Sequence, residues 1–317
     1  LLTRHRLYFI VVFAALIVSY YQTVRIDAPN FDLKYTRHSS IISNSIEYPY
    51  KYRLLNPFIT EIYFSVFKTV LPEKPAFLIA YAVQNLIVYS FLFFTFVRLL
   101  LLWFNETGAA AGLLIFALLV PLSLTGYDTL GDITTAGLMA LGFYCIIQNK
   151  VSLLYPVIFI GSFNELQVIL IVWFYLFSNR GNILSGKVWL NSFTLTITFV
   201  IGYVIIFLLR GGEAGSEAII WFFTKDAAFN LTHPDFILLW AIMILPLLYF
   251  AVMDFKAKPE FLRRNLLTVI PLFYVIVFFF TARMREIDKA LAIFIILIPL
   301  ALHSLMPGTV KKEGASL

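Results

Sequence analysis

One cysteine, Cys145, serves the entire 317-residue chain, so no intrachain disulfide can form and no thiolate cluster can hold a metal. Charge is nearly as scarce. Asp, Glu, Lys and Arg make up 13% of the residues, against about 25% in an ordinary soluble domain, which excludes a water-soluble globule. The four histidines, His5, His38, His233 and His303, stand apart without metal-ligand spacing. The chain has no P-loop, no glycine-rich dinucleotide fingerprint and no repeat with a period of about 20–50 residues. It also lacks an inverted pair of broken apolar segments, which lowers the standing of a transporter.

What is present is apolar. Hydrophobic residues form 61% of the chain, with 33 Phe and 17 Tyr, and the mean hydropathy is +0.87. A polytopic membrane protein follows. The net charge of +6 belongs with cytoplasmic loops rather than with a nucleic-acid partner.

A membrane helix needs about 20 apolar residues. Runs of that kind extend from Leu7 to Val24, Ala76 to Val97, Ala109 to Leu124, Ile133 to Gln148, Trp189 to Leu209, Phe236 to Met253, Leu266 to Ala282 and Ala290 to Met306. The first has basic flanks and no small-residue cleavage pattern, so it reads as a membrane helix rather than a signal peptide. Val151 to Phe177 is too long for one ordinary span and carries Gly161, Asn164 and Glu165 at its middle. Two short helices meeting at that break satisfy the backbone better than one helix that buries a carboxylate in lipid. Leu54 to Leu71 would span by length, but Asn56, Pro57, Glu61 and Lys68 interrupt it, and it reads as an interfacial helix. The expected fold is an all-α polytopic transmembrane helical bundle of about ten membrane helices. It forms a single domain, residues 1–317, with residues 25–75 as a long first outer loop that carries the interfacial helix.

With the N-terminus inside, Lys and Arg divide evenly between the two faces. The inner ones, from Arg4 and Arg6 through Arg180 and Lys187 to Lys311 and Lys312, spread over every short loop. The outer ones crowd into Arg25 to Lys74 and Arg283 to Lys289. Cations that run against the positive-inside tendency suit an anionic ligand. Both termini are expected to be cytoplasmic.

That outer face collects four polar segments. The first loop carries Asp27, Asp32 and a "YPYKYRLLNP" stretch; Asp32 could act as general base toward a hydroxyl, or be a solvated loop acid. In "GYDTLGD", Asp128 and Asp132 would share a face if helical, and Asp132 could equally cap the next helix. Glu165 in "GSFNELQ" must find a partner or water. In "TARMREIDKA", Arg283, Arg285, Glu286 and Asp288 precede the last span; arginine forks match phosphate oxygens, although snorkelling at a helix end is as good a reading. His233 beside Pro234 fits a turn or cap. Asn230-Leu231-Thr232 is a glycosylation sequon on the expected outer face.

The order of these segments resembles that of bacterial membrane proteins related to the GT-C glycosyltransferases. Asp32 with Tyr35 matches the family's loop acid and tyrosine, with Asp27 as the fallback. Tyr52, Arg53, Leu54 and Pro57 match a "YR.L.P" stretch, Tyr127 and Asp128 a "YD" pair, and Asn164 and Glu165 an "N(R)E" segment. The resemblance implies transfer of a sugar from a polyprenyl-phosphate carrier on the non-cytoplasmic face. Asp32 or Asp27 would be the catalytic base, while Tyr35, Tyr52, Arg53, Asp128, Asp132, Glu165, Arg283, Arg285 and Glu286 would bind substrate. The chain departs from the pattern where Leu33 follows Asp32, where no Arg separates Asn164 from Glu165, and where "RE" stands for a late "E.R". Those departures also suit a non-catalytic subunit of a larger membrane complex, and a lipid or small-solute transporter is the third reading. Membrane lipids are the expected partners in every case; no cofactor is expected, the paired acids being a weak signal for a divalent metal.

Overall fold

The computed structural model describes residues 2–46, 50–124, 126–179, 185–211, 226–281 and 283–311. Among them the chain is all-α, and its one β pairing is an isolated bridge between Phe104 and Val310. The elements are α1 (Arg4–Tyr21), prolonged by a π-helical turn over Gln22–Asp27, α2 (Phe31–Ile42), α3 (Leu55–Phe67), α4 (Glu73–Leu100), α5 (Glu106–Ser123) and α6 (Leu130–Ile147). Then come α7 (Val151–Ser162), α8 (Leu170–Ser178), α9 (Gly186–Arg210), α10 (Pro234–Val252), α11 (Glu260–Leu267) and α12 (Leu291–Leu305). Among the described residues, eight stretches are long and apolar enough to cross a membrane: those built on α1, α4, α5, α6, α9, α10, α11 and α12. The chain is a multi-pass integral membrane protein.

Local chemistry sets several boundaries. Asn105 caps α5 by accepting from the backbone N–H of Thr107 and Gly108 at 3.1 and 3.0 Å, which satisfies donors that a helix start leaves orphaned. Pro271 explains the irregular seventh span. Proline cannot donate to the helical ladder, and the backbone relaxes from α11 into a π-helical stretch over Ile270–Val277. The last residue of that expected run, Ala282, lies outside the described residues, as do Arg180 and Lys312 of the inner-face tally.

The core runs through α4, α6 and α12. Phe93, Phe96 and Phe116 stack between α4 and α5, and Phe143 meets Phe174 with ring centroids 4.5 Å apart. By contrast, α9 and α10 expose long apolar faces, Leu208, Leu209, Leu238 and Ile242 among them, as lipid-facing helices do.

Polar contacts sort the helix ends into two layers. At one end Asn105 N–H donates to Thr309 O at 2.9 Å, Lys311 N–H to Trp103 O at 2.8 Å, and Arg264 to Ser178 O at 3.0 Å. At the other, Asn44 donates to Arg210 O at 3.0 Å and Arg210 to Ile41 O at 2.7 Å. The second layer holds the polar segments singled out above.

The long apolar stretch after α6 breaks where Asn164 and Glu165 stand. Helix α7 rises toward the polar layer, Glu165 adopts an extended backbone (φ −155°, ψ 151°), a short 3₁₀ turn over Leu166–Ile169 follows, and α8 returns. The return is fixed by contacts: Ile171 packs on Gly142, Phe174 on Phe143, and Ser178 reaches Arg264 in the opposite layer. The pair is therefore a re-entrant hairpin. It closes because residue 161 is glycine; a Cβ there would stand 2.3 Å from Val168 Cγ1.

The first outer segment is more ordered than a loop. It contains α2, and Asp27 belongs to the π-helical end of α1 rather than to irregular chain. Asp132 does not cap α6: the residue before that helix is Thr129, and Asp132 is in its first turn. The Asn230 sequon is closed to a glycan, because Asn230 is fully buried, donates to Phe279 O and accepts from Met284 N–H, both at 2.7 Å.

Candidate functional site

A half-open cleft lies in the polar layer between α2, the start of α3, α4, the turn before α6 and the tip of the hairpin. Its walls include Lys34, Arg37 and His38 from α2, Arg53 and Asn56 at α3, Tyr81 from α4, and Tyr127 and Asp128 ahead of α6. Asn164 of the hairpin tip closes one side. The cavity volume of the cleft is about 40 Å³. At roughly 10–15 Å³ per water, that is room for a few waters or one compact anion.

Helix periodicity brings the cations together. Lys34, Arg37, His38 and Ile41 follow the i, i+3, i+4, i+7 pattern of one face, and all four line the cleft. Arg37 meets Asp128 at 2.5 Å and lies over the rings of Tyr50 and Tyr127 at 4.1 and 5.3 Å. Arg53 meets Glu165 at 2.8 Å and lies 5.2 Å from the centre of the Tyr50 ring. Two guanidinium groups thus share one aromatic platform. Each is bound to its carboxylate through one terminal nitrogen, which leaves further N–H donors on each planar guanidinium group. Burial pulls both guanidinium pKa values down, but the carboxylates overcome it and raise them above the ordinary value, chiefly Asp128 for Arg37 and Glu165 for Arg53.

Beneath the cations a buried amide network holds the floor. Asn56 donates to Asn164 Oδ1 at 2.9 Å and to Thr134 at 3.0 Å, and accepts from Gln84 at 3.0 Å. Asn164 in turn donates to Gly131 O at 2.7 Å and Thr135 at 2.8 Å, and Thr135 donates to Glu165 at 3.3 Å. The Phe163 carbonyl accepts from both Leu54 and Leu55 N–H at 2.9 Å, which ties the hairpin tip to the start of α3. A side chain at Gly131 would crowd Glu165, since a Cβ there would stand 3.2 Å from its Oε1.

The structure distributes the sequence-derived candidates unevenly. Arg53, Asp128 and Glu165 meet at the cleft. Asp132 points deeper, toward Asp288, Lys289 and Glu165, and Glu286 pairs with Lys289; Asp128 and Asp132 share no helical face, because Asp128 precedes α6. Asp27 is fully buried, meeting Lys34 at 2.6 Å, Asn85 at 2.8 Å and Gln22 at 3.1 Å. Asp32 is exposed in the first turn of α2 and does not line the cleft. Tyr35 donates to Glu73 at 2.7 Å on the outer side of α2, and Tyr52 packs on Tyr203 and Phe207. Arg283 and Arg285 lie over Phe229, with Arg283 also 3.4 Å from Asp226. The arginines from the two ends of the chain therefore do not form one rim.

Lys34, Arg37, His38, Tyr50, Asn56 and Tyr81 line the cleft without having been among the sequence-derived candidates. The periodic signal in α2 was available, but treating residues 25–75 as a loop hid it. Among the described residues, no group of three or more His, Cys, Asp or Glu side chains is placed to hold a metal. Comparison with family models, curated proteins and solved structures finds no match.

Proposed function

We propose that the cleft takes the phosphorylated headgroup of a membrane lipid, and that the chain is a glycosyltransferase of the GT-C kind using a polyprenyl-phosphate-linked sugar. The observation that carries this reading is the convergence of Arg37 and Arg53 on the Tyr50 ring. Guanidinium forks suit the oxygens of a phosphate, and the flanking tyrosine faces suit the apolar face of a sugar. On this reading the polar layer is non-cytoplasmic, both termini are cytoplasmic, and the membrane is a bacterial inner membrane. A small-solute transporter is the second reading. It is favoured by one feature, the broken hairpin tip, since irregular backbone at depth is a device transporters use to line a pathway.

The test uses the protein in phospholipid nanodiscs with a polyprenyl-phosphate-linked hexose. Arg37→Ala should weaken binding by roughly 10-fold or more, the worth of a hydrogen bond to a charged group, with a loss that shrinks as salt rises. Arg53→Lys should fall between parent and Arg37→Ala, keeping charge but losing the fork. Arg53→Ala is a poor test because it leaves Glu165 buried and unpaired. Binding unchanged in both variants, or turnover absent in the parent while the same protein in sealed vesicles passes a solute across the bilayer, would overturn the transferase reading.

A further inference from the structure

Among the described residues, the carboxylate that lines the cleft and the two just behind its wall are each committed to a cation. Asp128 is held by Arg37, Glu165 by Arg53 and Asp27 by Lys34. In each pair a carboxylate oxygen is already occupied by the cation. One side chain at the cleft wall differs. His38 is almost fully buried, and both ring nitrogens are engaged: Nδ1 lies 3.0 Å from the Tyr81 hydroxyl and Nε2 lies 2.8 Å from Glu61 Oε2.

The partners decide the tautomer. An ionised Glu61 can only accept, so Nε2 carries the hydrogen; Nδ1 of the neutral ring then accepts from Tyr81. Glu61 is the exposed member, with about a third of its side chain open, whereas Tyr81 lines the cleft. The three groups come from three helices, α2, α3 and α4, and form one line from the cleft to the surface.

The geometry points to Tyr81–His38–Glu61 as the proton acceptor of the site, with Tyr81 as the group that meets the substrate hydroxyl and His38 as the base behind it. This rests on the transfer reading above. In the step, the acceptor O–H bond breaks and its electron pair stays on the attacking oxygen. That proton moves to the Tyr81 oxygen as the Tyr81 proton passes to His38 Nδ1. The resulting imidazolium is paired with the Glu61 carboxylate, and the extra proton leaves to water at the exposed end. The attacking oxygen uses that pair to bond to the sugar carbon as the bond from this carbon to the lipid phosphate oxygen breaks, its electron pair leaving on the phosphate. Lys34 lies 3.9 Å over the Tyr81 ring, where its charge stabilises transient phenolate character.

Groups facing His38 fix the pH behaviour. Burial, the largest influence, lowers its pKa, Glu61 raises it, and Lys34 on the same helix lowers it again; Tyr81 and Phe77 complete the surroundings from α4. The relay works with His38 neutral, so the rate should fall on acidification through that lowered pKa. Removing the Glu61 charge destabilises the imidazolium and should move the acid limb to lower pH.

Two measurements on the full chain in nanodiscs test this. The first is the ¹⁵N spectrum of histidine-labelled protein, with His38 assigned by His38→Gln. It should show the neutral Nε2–H tautomer at pH 7, and Tyr81→Phe should shift the Nδ1 resonance. An Nδ1–H tautomer or a charged ring at pH 7 would overturn the relay even if the parent turns over. The second is turnover of a polyprenyl-phosphate-linked hexose. Tyr81→Phe should lower kcat about 10²-fold or more with KM little changed, and Glu61→Gln should move the acid limb downward. A kcat and pH profile unchanged in both variants would make the triad a structural staple and sink the proposal. A silent parent with the expected tautomer would instead count against the transferase reading and, with it, against the relay's role in transfer, leaving the three groups as a hydrogen-bonded link between helices.

Discussion

At the residue scale the cleft is built from charges that cannot be left alone. Asp27 and Lys34 are both buried and only 2.6 Å apart, so each neutralises a group that would otherwise be stranded. Asp27→Ala should cost about 3–5 kcal/mol, the penalty for uncovering a buried charge. Asp32→Asn, on the exposed side of α2, should change stability by no more than about 0.5 kcal/mol. Thermal unfolding in detergent would compare them, and equal losses would contradict the buried pair. His38 gives a pH signature of its own. Its folded pKa lies below the ordinary 6.5, so the unfolded chain binds the proton more readily. The His38 contribution to stability is therefore full above about 6.5 and declines as pH falls from there through the folded value. His38→Gln should flatten that acid slope in a series of unfolding curves, and a slope that survives the substitution would remove His38 as its source. Single residues were legible only in part. Glu165 announced itself as a carboxylate inside an apolar run, and it does have a charged partner, Arg53. Lys34 and His38 gave no such signal, because a polar residue in a polar segment looks alike whether it faces water or a neighbour.

At the element scale the decisive piece is the hairpin of α7 and α8. Its break was readable, since no single helix could keep Glu165 in lipid without a partner. Helix α2 was not read, because residues 31–42 carry too few apolar side chains for their content to flag a helix, and only the spacing of its inward face reveals one. The hairpin makes a specific demand on residue 161. Gly161→Ala should destabilise by about 1–3 kcal/mol through overpacking, as the new Cβ meets Val168. Adding Val168→Ala should return part of that loss, because it removes the nearest atom. Unfolding midpoints of the single and double variants measure the coupling, and simple additivity would show that the two helices do not press together there.

For the whole molecule, the class and the eight long spans were plain in the apolar runs, while the placing of side chains across helices was not. The two arginine groups illustrate why. Arg53 and Arg283 are both basic residues on the same layer, yet Arg53 faces the cleft and Arg283 lies by Phe229 and Asp226, a difference set by the packing of several helices at once. The layering has a topological consequence: residues 150, 187 and 309 should share one side of the membrane and residues 32 and 128 the other. Single cysteines at these positions in a Cys145→Ser background, labelled with an impermeant reagent, would report it. Labelling of positions 32 and 150 from the same side would refute the two-layer arrangement. The claim on which the functional account turns is that the lipid phosphate sits between Arg37 and Arg53. A cryo-EM map of the protein in nanodiscs with a polyprenyl phosphate tests it most directly. The account expects phosphate density within hydrogen-bond reach of both guanidinium groups and beside Tyr50; density beside Arg283 and Phe229, with the cleft holding only water, would contradict it.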